Sequence, residues 1–207
     1  MKNSILIITL FLATTFANAQ GQFEQGMGKA FGLWKEGKNQ EASDLFERIA
    51  AAEKNSWLPN YYVARVNTNA SFQTKDPIQL DALLTKAQAA LDVELAKDSK
   101  NAELLVMQAM IHTGKISSDP MKYGMTLSGT VASFYGKAEA IAPQNPRVVF
   151  CKAEFAIGGA QWTGANVKEL CKDVERSIGL FATFKPENQF SPTWGLDRAQ
   201  TALKNCK

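Results

Sequence analysis

An all-α fold of stacked antiparallel helical hairpins is predicted by three observations. A small residue returns at Ala30, Ala64, Ala109 and Ala153, at steps of 34, 45 and 44 residues, each time inside an amphipathic stretch that a second one follows. A unit recurring at that length marks an array of helical hairpins. Helix starts carry one repeated device, a capping side chain before a proline, at Asp76-Pro77, Asp119-Pro120, Asn145-Pro146 and Ser191-Pro192. The side-chain oxygen accepts an orphan backbone N–H, and a proline at the first helical position has no N–H to lose. No run alternates apolar and polar residues with period two between hairpin turns, so no strands are expected.

Residues 1–19 stand apart from this pattern. Lys2 precedes an apolar run from Ile5 to Phe16, and Ala17-Asn18-Ala19 follows as a small-x-small cleavage site; these are the three regions of a secretory signal peptide. The rival, a membrane anchor, needs about 20 apolar residues to cross a bilayer as a helix, whereas the run is about a dozen. No cysteine directly follows the cleavage point, so a lipid-anchored product is not expected. The expected mature chain starts at Gln20 and has 188 residues. It forms one helical-repeat domain over 20–207, periplasmic or secreted, with no membrane span after cleavage.

The elements follow in order. Phe23, Met27, Ala30, Phe31 and Trp34 form the apolar stripe of a first helix and Ala42, Leu45, Phe46 and Ile49 that of a second, with Gly37-Lys38-Asn39 as the turn. A third helix reads from Trp57 to Phe72, and a long fourth from Pro77 to Asp98 through Leu80, Leu84, Ala87 and Leu91. The fifth runs from Ala102 to Thr113, closed by Gly114. Pro120 to Ala142 carries Met121, Met125, Val131, Phe134, Tyr135 and Ala138 on its apolar face, and Gly124 and Gly129 predict a loose or kinked start. Pro146 to Ile157, Ala165 to Phe184 and Pro192 to Cys206 complete the set, read as four hairpins and a capping helix.

Ala138, Ile141, Pro143, Asn145 and Pro146 form an A-x-x-x-x-P-x-N-P ending, with Ala153 as the next small position; in the first hairpin Ala30, Ala42, Phe46 and Ile49 supply small, small, aromatic and apolar places. In these residues the chain resembles the tetratricopeptide repeat (TPR) family. The resemblance covers most of the mature chain. It departs from the family pattern in lacking the usual glycine and the tyrosine three residues after it. Two of its units also run about ten residues long, which points to lengthened segments at 72–98 and 114–135 as the place of specificity.

The resemblance implies a concave groove lined by the first helix of each hairpin. That register puts Phe31, Trp34, Tyr61, Arg65, Asn69, Arg147, Phe150 and Glu154 toward the groove, together with Met27 and Met110. Aromatics with both charge signs suit an extended peptide or a partner helix. A carboxylate clamp of the chaperone-binding kind is disfavoured, because Met27 and Phe31 occupy its first two positions. The function expected is therefore a protein-binding or peptide-binding module of the bacterial envelope, without catalysis. A structural accessory subunit of an envelope complex would present a flat interface instead. A small-ligand receptor or a helical-toroid enzyme would need a deep pocket. The sequence carries no statement about oligomeric state.

Composition narrows the chemistry. Hydrophobic residues make up 45% of the chain, which excludes wholesale disorder. Lys and Arg exceed Asp and Glu by only three, and the charges are scattered, so the concentrated basic stripe that nucleic acid requires is missing. His112 is the single histidine, and one imidazole without Cys or carboxylate partners at ligand spacing makes no zinc site. Ser117-Ser118-Asp119 has no base beside it and reads as the loop and cap before Pro120. Gly26-Met27-Gly28 follows no strand and is not a phosphate loop. No metal and no cofactor are expected.

Three cysteines remain. An exported chain can keep disulfides, and Cys171, one turn into its helix, falls at the same end as Cys206 if the last two long helices are antiparallel neighbours. A Cys171–Cys206 bond is expected on that ground, with Cys151 at the opposite end as a free thiol; three free thiols stay open as the alternative. Trp57 and Trp194 are read as covers over the apolar ends of hairpins.

Overall fold

Each predicted hairpin has one apolar face too many to stand alone, and stacking against the next hairpin buries it. The computed structural model describes residues 20–206; the signal peptide reading and its Ala19 cleavage point lie outside them. Among the described residues are nine helices: α1 (20–35), α2 (Asn39–Ala52), α3 (Leu58–Ser71), α4 (Pro77–Lys97), α5 (Ala102–Ser118), α6 (Pro120–Ile141), α7 (Pro146–Thr163), α8 (Val167–Thr183) and α9 (Leu196–Lys204). Consecutive helices pair as α3 on α4, α5 on α6 and α7 on α8, with α9 laid on α8. α1 meets α2 through Phe31 and Phe46, ring centroids 5.3 Å apart. No strand occurs among the described residues, and no described helix is long and apolar enough to cross a membrane.

The recurring alanines are contact points. Ala30, Ala64 and Ala109 are wholly buried and Ala153 nearly so, as are Ala42, Ala87 and Ala138 on the second helices. A methyl group there lets two helix axes approach closely. α3 and α5 are buried on almost every side, which is why neither has a strong amphipathic period.

The capping device works at three of its four sites. Asp76 accepts from the Ile78 N–H, Asp119 from Lys122, and Asn145 from Arg147 and Val148. Asn101 and Asn166 do the same without a proline. Ser191-Pro192 starts no helix. There the chain stays non-helical until Gly195, whose φ of 115° lies in the left-handed region, and α9 begins at Leu196. A Cβ on Gly195 would also come within 2.8 Å of the Phe181 ring, so two separate constraints demand glycine.

Three expected boundaries are corrected. Gly114 does not close α5, which runs on to Ser118; a Cβ at Gly114 would lie 3.0 Å from Ser71 Oγ and 3.2 Å from Leu84, so this glycine serves a close approach to α3 and α4. α7 continues past Ile157 to Thr163 and ends at Gly164, φ 70°. α6 is one continuous helix from Pro120 despite Gly124 and Gly129.

Two devices tie distant elements together. Arg147 of α7, with no exposed surface, donates from Nε to both Glu103 oxygens of α5 at 2.8 and 2.9 Å, and Asn145 Nδ2 donates to the same carboxylate at 2.6 Å. Cys171 of α8 is bonded to Cys206, with Cα atoms 5.9 Å apart, while Cys151 is free and buried.

Candidate functional site

Of the residues expected to line a groove, Phe31, Trp34, Tyr61, Arg65, Asn69 and Arg147 converge on one face, but the chain itself covers that face. Residues 184–195 cross it between α8 and α9. Phe190 stacks on Phe31 at 6.1 Å and meets Phe23 edge-on at 5.7 Å. Tyr62 Oη donates to the Phe190 carbonyl at 2.7 Å, and Trp194 Nε1 donates to Tyr61 Oη at 2.8 Å. The Arg65 guanidinium lies 3.9 Å from the Trp194 ring centroid, and Arg147 lies 4.4 Å from that of Phe184. Trp34 packs edge-on against Tyr62 at 6.2 Å, and Asn69 accepts from Arg65.

Tyr61, Arg147 and Phe150 are wholly buried and Arg65 nearly so. The expectation that these four line an open groove is corrected: Tyr61, Arg65 and Arg147 are the floor on which the chain's own segment lies, and Phe150 is core beneath Arg198 of α9. Met27 is likewise core. A segment remote in sequence supplies aromatic area to that floor, and no helical period can reveal such a pairing.

The open space lies elsewhere. α6 packs closely on α5 but only sparsely on α7, and the gap between them is a cavity of 670 Å³, within the range typical of small-molecule sites. Met110, Thr113 and Ile116 of α5 form one wall; Met121, Gly124 and Met125 of α6 form a second; Phe155, Gly159 and Trp162 of α7 form a third. Met121, Met125 and Trp162 are 84%, 96% and 62% exposed. The sequence pattern places the two methionines in the core, since they continue the stripe that buries Val131 and Tyr135. The structure puts both at the rim of the cavity instead. A Cβ added at Gly124, Gly158 or Gly159 would meet nothing within 4 Å, so their missing side chains widen the opening. The cavity faces the lengthened segment 114–135; the other, 72–98, contributes Phe72 alone.

At its inner end the cavity meets Tyr135, Cys151, Glu154 and Arg198. Glu154 of α7 is ion-paired with Arg198 of α9. Burial pushes the Glu154 carboxyl above the usual carboxylate range, and the Arg198 charge opposes that rise. Burial holds the Cys151 thiol at about 12 and raises the Tyr135 phenol well above its ordinary value. At neutral pH the inner end therefore presents an un-ionised thiol and phenol beside one ion pair. His112 is not part of it. Half-buried, it lies 3.1 Å from Gln108 Nε2 and stacks on Phe134, and burial lowers its pKa below 6.5. Among the described residues no cluster of three His, Cys, Asp or Glu side chains could hold a metal ion.

No family model and no curated protein matches the chain. Two solved structures do. The HusA haemophore from Porphyromonas gingivalis superposes with a TM-score of 0.77 at 23% identity, over 89% of this chain and 92% of its own. A thermophilic TPR protein from Thermus thermophilus superposes with a TM-score of 0.58 at 10% identity, over 89% and 98%. The fold is TPR-like. At these identities the likeness concerns the all-helical fold alone and leaves the ligand to the site. Of the residues predicted for the site, only Glu154 lines the cavity, where Met110 joins it. Met125, Gly159, Trp162 and Arg198 were missed. The signal for Met125 was an apolar stripe on α6 broken by glycines, which marks an exposed apolar face as readily as a loose helix start; Gly159 and Trp162 of α7 and Arg198 of α9 carry no such signal.

Proposed function

We propose that this protein is an exported carrier of a large, flat, apolar ligand of the tetrapyrrole class, held between α5, α6 and α7. The observation that carries the proposal is the methionine-rimmed and tryptophan-rimmed cavity, because exposed large apolar side chains converging on one opening mark a ligand site. Thioethers adapt to a flat apolar face and favour contact with aromatic rings. The HusA neighbour, named a haemophore, supports the choice of ligand class. The signal peptide reading of residues 1–19 supports export. A peptide partner, the reading the sequence favoured, loses its groove to residues 184–195.

Donors in the lining that could meet a ring-bound metal are the Met110, Met121 and Met125 thioethers, the Glu154 carboxylate, the Tyr135 phenol and the Cys151 thiol. Burial keeps the last two protonated. Apolar contact with the ring faces is the interaction this lining supplies most, and the thioethers are its donors that need lose no proton.

Titrating the mature chain with haemin and with metal-free protoporphyrin IX tests the reading, following the Soret band and the tryptophan fluorescence. Saturable binding of both is expected, and Gly159→Leu should weaken both by about tenfold or more by filling the cavity. The same substitution removes a helix-interior glycine and should leave the melting temperature unchanged or raised. If neither porphyrin saturates, the reading is wrong.

A further inference from the structure

Close to the inner end of the cavity, though outside its lining, lies an unbalanced charge. Arg147 is matched by Glu103, and Arg198 by Glu154. Arg65 is 5% exposed and has no carboxylate partner among the described residues; its Nε finds no hydrogen-bond acceptor. Its surroundings are Asn69, the Trp194 ring and the un-ionised Tyr61, Tyr62 and Cys151. Arg198 is close enough to destabilise its charge, and Arg65 in turn lowers the carboxyl pKa of Glu154. Arg65 is thus a buried cation with no carboxylate of its own, where an uncompensated charge is costly, beside the partly exposed Glu154–Arg198 pair.

The Glu154–Arg198 pair also sits at a junction. Glu154, Gly158 and Arg198 line the 670 Å³ cavity and a second one of 470 Å³ between α7 and α9. A ligand lying between α5, α6 and α7 would reach this pair at its inner end.

Resting on the reading of the cavity as the ligand site, we propose that the ligand carries a carboxylate, which binds at the junction of the two cavities by taking the Arg198 guanidinium from Glu154. Arg65, behind the junction, supplies the excess positive charge that makes the cluster accept an anion. Burial of Glu154 favours the exchange, since a carboxyl whose ionised form is penalised gives up its cation at less cost. Guanidinium suits the role because its planar fork can bind a carboxylate with two parallel hydrogen bonds.

The test uses a matched ligand pair, deuteroporphyrin IX with two free carboxylates and its dimethyl ester, titrated into wild type, Arg198→Gln and Glu154→Gln. Wild type should bind the diacid about tenfold or more tighter than the ester, the scale of one charge-assisted hydrogen bond. Because both residues line the cavity, the readout is the ratio of diacid to ester affinity. Arg198→Gln should erase that preference, and Glu154→Gln should raise it severalfold by freeing Arg198. Both substitutions break the same α7–α9 ion pair, so a purely structural role would move both ligands in the same direction in both variants, and that result overturns the proposal. Equal binding of diacid and ester by wild type overturns it too while leaving the cavity reading standing. Failure of both ligands to bind wild type removes the cavity reading and the carboxylate seat together.

Discussion

Cys151 shows how far surroundings set the chemistry of a single side chain. It lines the inner end of the cavity yet is 2% exposed, and burial holds its thiol at about 12 against an ordinary value of 9.0. Because the thiolate is the nucleophile, native Cys151 should resist iodoacetamide at pH 8, whereas the chain denatured without reductant should take up one label, Cys171 and Cys206 being bonded to each other. Three labels would show that bond to be missing. The raised pKa also has a consequence for stability. Between pH 9 and 12 the native state keeps a proton that the unfolded chain has released, so the contribution of Cys151 is fully present below pH 9 and is lost as pH rises through that window. Urea midpoints measured for wild type and Cys151→Ala across the window should converge toward the alkaline end.

At the level of the helix, the same cap does different amounts of work according to what else it touches. Asn166 caps α8 on an exposed surface with a single bond to the Lys168 N–H, and Asn166→Ala should cost about 1 kcal/mol. Asn145 caps α7 in the same way, but its Nδ2 also donates to Glu103, the carboxylate that neutralises buried Arg147. Asn145→Ala removes a cap and a partner from a buried ion pair, and should cost about 3 kcal/mol in urea denaturation. The helices were legible in sequence because these determinants are local. Asp76, Asp119 and Asn145 cap as the Asx-Pro pairs predict, and the apolar stripes of α1 and α2 follow helical period. The Ser191-Pro192 signal fails because it competes with Trp194 reaching Tyr61, and that tertiary contact holds the segment out of a helix.

Across the whole molecule, residues 184–195 complete the core over α1, α3 and the start of α7. Trp194 links the phenol of Tyr61 to the guanidinium of Arg65, so Trp194→Ala leaves a buried cation without its aromatic cover and a hollow where the indole lay. A loss of about 3 kcal/mol is expected, read as a fall in melting temperature of about 6–12 °C for a chain this size. A fall of a degree or less would mean that the segment lies on the face without stabilising it.

What the sequence by itself determined is the all-helical hairpin array: helix period, caps and the small contact residues Ala30, Ala64, Ala109 and Ala153 act within a few turns of the chain and can be read there. Only the tertiary structure decided which surface stays open. Tyr61 and Trp194 are 133 residues apart, and the void beside Met121, Met125 and Trp162 exists because α6 stands off from α7. Neither a long-range contact nor an unfilled space between two helices changes the periodicity of either helix. Ala153, first a mark of repetition, therefore locates the packed side of α7, while the cavity opens on that helix's other side at Gly159 and Trp162.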